Sequence, residues 1–318
     1  MKEFTDFFFR NWILIVILGN FLGALSNIVS KIIVSGSVSQ KPIQPTPLTF
    51  YSGFFGIAVF LPALVLNFWL NFIDMRPLAA AFGLAGGLFL ILSLWPFYYV
   101  LSRNETSRVM TIFVAAVPLF TFLMKYIFIG ERLKDIQLLA VMMLVIGGVL
   151  ISTRRHKDGG LGFSDTVVTA LAGFGIASGL ILAERSFRFQ GFISGFIWIT
   201  GGYFLSSVIL YLWPGQKEKI ENTGDYAEKK NIFLFFSEKI LGTSGSILIK
   251  YSISLVSATL VNAFEGIKQF FVLILAGIFS FFFPGVYKEE LKGVVLWQKI
   301  FAAALVFAGI FLLIYNNG

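Results

Sequence analysis

Three ionisable residues late in the chain, Lys250, Glu265 and Lys268, fall inside apolar runs long enough to cross a lipid bilayer. A charge at the bilayer centre costs about 2.5–3.5 kcal/mol even on the most lenient scale, so such a residue must face a cavity or a partner. A turn near Ser254 to Ser257 makes the flanking runs an antiparallel hairpin, which brings Lys250 and Glu265 to similar depth, where they could form an ion pair. Lys268 follows Glu265 by three residues and shares nearly the same helix face. One carboxylate cannot neutralise two ammonium groups, so the surplus positive charge could receive a substrate carboxylate or phosphate. Glu265 could exchange a proton as the lysine–substrate contact forms. The competing reading is a static salt-bridge network that locks the hairpin. Gln269 and Asn262 extend the polar patch.

Two further lysines, Lys31 and Lys125, lie near the ends of apolar runs. A lysine stem can reach the interface from there, and that simpler reading is favoured for both, more strongly for Lys125. Lys31 nonetheless stays among the candidate substrate contacts. The stretch Trp95-Pro96-Phe97-Tyr98-Tyr99 places a helix breaker beside hydroxyl-bearing aromatics. Proline frees a carbonyl that something else must satisfy, and Trp95 is the residue there best suited to line a cavity. Tyr98 and Tyr99 fit an interfacial aromatic belt.

The elements that hold these residues are membrane helices. Of 318 residues, 57% are apolar and 13% charged, with mean hydropathy +0.83, which excludes a cytosolic or secreted globular enzyme. The apolar runs are too long for barrel strands, and backbone amides in hydrocarbon must bond internally, so helices are required. About ten runs satisfy the length a span needs. They cover residues 11–33, 48–70, 78–101, 106–129, 133–152, 166–184, 192–213, 232–254, 257–283 and 297–315. The start of the chain runs into the first without a small-residue cleavage site, so a retained span is expected rather than a signal peptide. Glycine pairs four apart (Gly19 and Gly23, Gly83 and Gly87, Gly175 and Gly179, Gly191 and Gly195) put small residues on one face for close helix contact. Residues 214–231, rich in alternating charge, read as a solvated connector.

The hydrophilic stretch from Thr153 to Gly162 divides five spans from five. Five is odd, so two halves derived from one ancestor would lie in the membrane with opposite sense. The halves close on similar wording: Gly130-Glu-Arg-Leu133, Gln137 and Gly147-Gly148 in the first, Lys288-Glu-Glu-Leu291, Gln298 and Ala308-Gly309 in the second. The expected organisation is a five-helix repeat over 1–152, a linker over 153–165 and a second five-helix repeat over 166–318.

These residues resemble the drug/metabolite transporter superfamily, specifically its ten-helix EamA-type branch. Pro118, Gly130-Glu131-Arg132-Leu133 and Gly148-Val149-Leu150 match that branch's fourth and fifth spans. Ser26-Asn27-Ile28-Val29-Ser30-Lys31 looks like the end of its first span, and Pro47-Leu-Thr-Phe-Tyr51 like the start of its second. Ser52 stands where many members carry arginine, and Lys268 near where the second-repeat proline falls. The resemblance implies two inverted repeats around a central cavity, alternating access, and Asn27 and Tyr51 as cavity liners.

Other chemistries are closed off. The chain has no cysteine, which excludes disulfides and thiolate metal sites, and its one histidine, His156, sits in a basic loop. No phosphate-binding Gly-Lys-Ser/Thr loop and no Gly-x-Ser-x-Gly elbow occurs. The formal charge of +8 is explained by span-flanking lysines and arginines, so nucleic acid is not an expected partner. No catalytic residue, metal or cofactor is expected. The residues point to an all-α polytopic secondary transporter of a cell (inner) membrane for a small polar or anionic metabolite, amino-acid-like solutes among them. Its partners are the solute, the bilayer, and a coupling proton or exchanged solute. The competing reading is a non-transporting membrane scaffold, lipid-handling protein or sensor.

Overall fold

The structure, a computed structural model, describes residues 11–34, 44–104, 106–130, 132–152, 162–222, 229–282 and 294–317. Every regular element among the described residues is helical. In chain order they are α1 (Trp12–Val34), α2 (Pro45–Phe54), α3 (Ile57–Leu70), α4 (Pro77–Leu92), α5 (Leu94–Arg103), α6 (Thr106–Met124) and α7 (Asp135–Ser152). There follow α8 (Phe163–Leu212), α9 (Lys217–Glu221), α10 (Lys229–Leu255), α11 (Ala258–Ala263), α12 (Glu265–Phe282) and α13 (Val294–Asn317).

Four stretches are long and apolar enough to cross a membrane: Trp12–Ser30, Pro45–Leu70, Pro77–Arg103 and Phe163–Leu212. Ala115–Ile129, Asp135–Gly147 and Ile300–Leu312 are shorter apolar helices. Apolar side chains also dominate the outside. Phe68, Trp69 and Phe128 are 84%, 78% and 79% exposed, which is tolerable only against lipid.

The chain divides into two compact units, each drawing on both halves of the sequence. One comprises Met1–Pro42, Asn104–Thr166 and Glu228–Gly318; the other comprises Ile43–Arg103 and Val167–Ala227.

In the first unit α1 packs against both α10 and α12, while α7 packs against α13, α12 and α6. Glycines make the closest approaches. A Cβ at Gly245 on α10 would stand 2.7 Å from the carbonyl oxygen of Gly19 on α1, and one at Gly147 on α7 would stand 2.6 Å from Val306 on α13. Helices in lipid gain little from hydrophobic burial, so such backbone contact is their main source of association. Against α12, α1 buries Ala24, Ile28 and Leu275 beneath Phe21 and Phe271, whose rings meet edge-to-face. Pro118 lies inside α6, which continues past it, finishes in a π-helical turn over Lys125–Ile129 and is closed by Gly130 at φ 68°.

In the second unit α8 runs for 50 residues, which at 1.5 Å each is about 75 Å and far exceeds a bilayer core of roughly 30 Å. It therefore folds back within its length. The break is at Gly191, with φ 76° and ψ 172°, a combination open only to glycine. The sequence suggests a gap over 185–191; instead helix persists to the glycine, helped by the Arg188–Glu184 pair at 2.7 Å one turn apart. The loop after α3 fastens the fold-back. The Asp74 backbone N–H donates to Ser194 Oγ, Trp198 Nε1 donates to the Asp74 carbonyl, and Arg76 donates to the Phe189 carbonyl. The charged connector is also partly docked, with Ile220 of α9 buried and Gln216 accepting from Thr46 of α2.

Gly191→Ala is expected to destabilise the protein by about 1–3 kcal/mol, since no side chain needs to move and the cost is conformational. Thermal unfolding of the purified protein checks this against Gly162→Ala, an open position of ordinary φ, which should be neutral.

Candidate functional site

The polar groups of the first unit converge on α1. Gly19, Gly23 and Asn27 recur every four residues and so form one stripe along the helix. Gly23 carries the stem of Lys268, whose Cδ lies 3.4 Å from where a Cβ would stand. With no side chain at 23, α12 can lay a lysine across α1. Three residues further, Ser26 Oγ donates to Glu238 Oε1 of α10 at 3.1 Å. Gly242, one turn along α10, leaves room for that bond, because a Cβ there would stand 2.8 Å from Ser26 Oγ. Glu238 is 7% exposed, and its Oε2 lies 3.0 Å from Lys239 Nζ. That ion pair offsets the buried carboxylate's charge. An acid from α10 and a base from α12 thus reach one turn of α1.

The residues singled out from sequence distribute as follows. Lys268 and Asn27 are half-buried on or beside this turn, and Gln269 is buried with no acceptor for its Nε2. Lys250 is 4% exposed and donates to Ser246 Oγ on its own helix. Gly19 meets Gly245 and Ser26 meets Glu238, so α1 and α10 run antiparallel in a fixed register. That register puts Lys250 level with Leu14, about nine residues or roughly 13 Å along the axis from Lys268. Lys250 and Lys268 therefore occupy different depths. Glu265 begins α12, but its side chain, like that of Lys31, lies outside the described residues, and so does the proposed Lys250–Glu265 pair.

Tyr51 and Trp95 belong to the second unit. Trp95 Nε1 donates to Thr46 Oγ1 at 3.1 Å, Thr46 Oγ1 donates to Gln216 Oε1 at 2.8 Å, and the indole stacks on Tyr99. Tyr51 is half-buried with its ring against Phe50.

Two features escaped the sequence reading. Glu238 and Lys239 stand in a stretch of α10 that also holds Lys229, Lys230 and Ser237, so they look interfacial until Ser26 is placed against them. Lys125 is a correction: instead of reaching the interface it is 2% exposed and donates to Ser257 Oγ at 3.2 Å. The π turn explains this, because Lys125 opens it one turn beyond Thr121, which accepts from Asn262 of α11. Both residues therefore face α11, and Lys125 turns inward.

Residues 10–153 match the EamA-like transporter family. The EamA-type resemblance read from the sequence is thereby borne out over that segment. EamA-like proteins are membrane transporters of the drug/metabolite superfamily, and the apolar helices agree with an integral membrane protein. No curated protein matches the chain. Among solved structures, the crystal structure of a protein superimposes with a TM-score of 0.61 at 18% identity, over 93% of this chain and 95% of the other. At that identity the likeness is one of fold.

Gly245→Ala is expected to cost about 1–3 kcal/mol, because the added methyl meets backbone atoms of Gly19 and Gly23 rather than a yielding side chain. Ser26→Ala should cost a comparable amount by leaving Glu238 short of a donor. Unfolding temperatures of both variants in a fixed detergent give the test.

Proposed function

We propose that this chain is a secondary transporter, not an enzyme, that moves a small polar or anionic metabolite across a cell (inner) membrane by alternating access. The observation that carries the reading is that the buried Glu238 of α10 and the half-buried Lys268 of α12 each reach the Gly23–Ser26 turn of α1, in a chain whose first half is EamA-like. Charge held inside a membrane protein marks a solute path more often than a structural lock.

The reading takes the helices as ten spans in two inverted repeats, 1–152 and 166–318, joined by 153–165. The packing supports it in a specific way. Exchanging each span with the one five places later maps several of the observed contacts onto one another. In the first unit, span one meets span eight at Gly19 and Gly245; in the second, the counterpart pair of spans six and three meets at Gly179 and Gly86. Spans four and nine meet through Thr121 and Asn262, and spans five and ten through Gly147 and Val306, so each of these pairs consists of mutual counterparts. Rocking of such repeats would expose the solute to one side at a time. Besides the solute and the bilayer, the partner is a coupling proton or an exchanged solute, and nucleic acid is not one.

A screen of small metabolites for thermal stabilisation identifies ligands, since a molecule binding only the folded form raises apparent stability. Flux of a confirmed ligand into proteoliposomes should then fall by about tenfold or more in Lys268→Ala. Equal flux in the variant removes Lys268 from the mechanism.

A further inference from the structure

The fold-back of α8 gathers arginines at one end of the second unit. Arg76 donates through Nη1 to the Phe189 carbonyl at 2.9 Å, while its Nε lies 3.0 Å from Asp74. Arg188 pairs with Glu184 through Nη2 at 2.7 Å, yet its side chain stays 55% exposed, so the rest of that guanidinium is open to a ligand. Asp74 and Glu184 are thus each engaged by an arginine already. Arg185 is the third guanidinium of this end. It stands three residues before Arg188, on a neighbouring helix position, is half-buried, and has no acceptor among the described residues. A guanidinium is always charged and presents a fork that matches two oxygens of a phosphate. The surface beside it is apolar: Phe189, stacked on Phe82, is exposed, and so are Ile193 and Leu78. Leu78 belongs to the same end because the carbonyl of Ala79, its neighbour, accepts from Ser186 and Gln190 of α8.

We propose that this end of the second unit binds an anionic phospholipid, its phosphate held by Arg185 and Arg188 with Arg76 at the rim, and its acyl chains lying on Phe189, Ile193 and Leu78. Helix positions three apart stand about 5–6 Å from each other at Cβ, so two guanidinium forks can close on one phosphate. The apolar neighbours decide where that phosphate comes from. A free phosphate gains nothing from them, whereas a lipid offers charge and hydrocarbon side by side. The depth agrees, since a fold-back between two spans lies at the lipid–water boundary, where headgroups are. A zwitterionic lipid is the poorer fit, because its quaternary ammonium would meet arginines at an end whose two carboxylates are already paired. The proposal uses no residue of the polar α1 turn and does not depend on the identity of a transported solute.

The test is titration of the purified full-length protein in detergent with phosphatidylglycerol, with phosphatidylcholine of the same chains, and with inorganic phosphate, read as the unfolding temperature and as lipid retained in native mass spectrometry. Phosphatidylglycerol should be retained and should raise the unfolding temperature, and the other two at equal concentration should do neither. Arg185→Gln gives up no protein contact, so it should fold as the wild type does and need about fivefold more phosphatidylglycerol for half the shift. The double variant with Arg188→Gln should need more again, and Arg185→Gln alone keeps the test decisive if the double variant fails to fold. Arg103→Gln, whose guanidinium lies over Tyr99 on α5, should match the wild type. Equal shifts with the two lipids overturn the proposal. So does an equal shift with inorganic phosphate, which makes this a free-anion site. Unchanged affinity in Arg185→Gln, or an equal loss in Arg103→Gln, overturns it by assigning the effect to diffuse surface charge.

Discussion

The contact on which the rest of the first unit depends is the backbone approach of α1 to α10 at Gly19, Gly23, Gly242 and Gly245. In lipid there is no hydrophobic gain from pressing two apolar helices together, so close packing and buried hydrogen bonds must hold them. Glycine supplies the first by removing side chains. The second follows from it, because only at that separation can Ser26 on α1 reach Glu238 on α10. A buried carboxylate is then held where lipid alone would not accept it. The same bare surface on α1 admits the Lys268 stem from α12. Packing and chemistry are thus one device: the residues that let helices touch also clear the place where charges meet.

The second unit solves a different problem. A 50-residue helix must turn back within a membrane, and it does so at one glycine whose backbone angles no other residue adopts readily. Asp74, Arg76 and Ser194 hold that turn from a neighbouring loop. Trp95 and Thr46 tie the unit's helices to the start of the charged connector through Gln216. The connector is therefore partly structure rather than tether.

Much of the helix layout was legible in the sequence, because runs of apolar residues bounded by charge report the bilayer directly. The run expected over 11–33 is observed as Trp12–Val34, and that over 133–152 as Asp135–Ser152. Breaks inside runs were harder to see. The bend between α4 and α5 falls at Ser93, ahead of Pro96, and the break at Phe264 between α11 and α12 has no proline at all. Side-chain direction was least legible. Lys125 looked interfacial by its distance from the end of a span, but a π turn and Asn262 fix its face, and neither follows from hydropathy. Glu238 was hidden for the converse reason: a carboxylate among lysines near a helix start reads as solvated until its partner on a helix more than two hundred residues earlier is known. Lys268 and Asn27 stood out because charge and amide inside an apolar run have no cheap explanation.

The central claim is that the polar turn of α1 lines a passage that water enters, whereas its other face meets lipid. The chain has no cysteine, so one introduced thiol reports without background. A membrane-impermeant thiol reagent applied to Asn27→Cys in proteoliposomes measures this directly, with Leu18→Cys, at an outward position 51% exposed, as the lipid-facing control. The account predicts reaction at position 27 and none at 18, because thiols react as thiolates, which need water. No reaction at position 27 from either side of the membrane, in a protein that still folds, would contradict it.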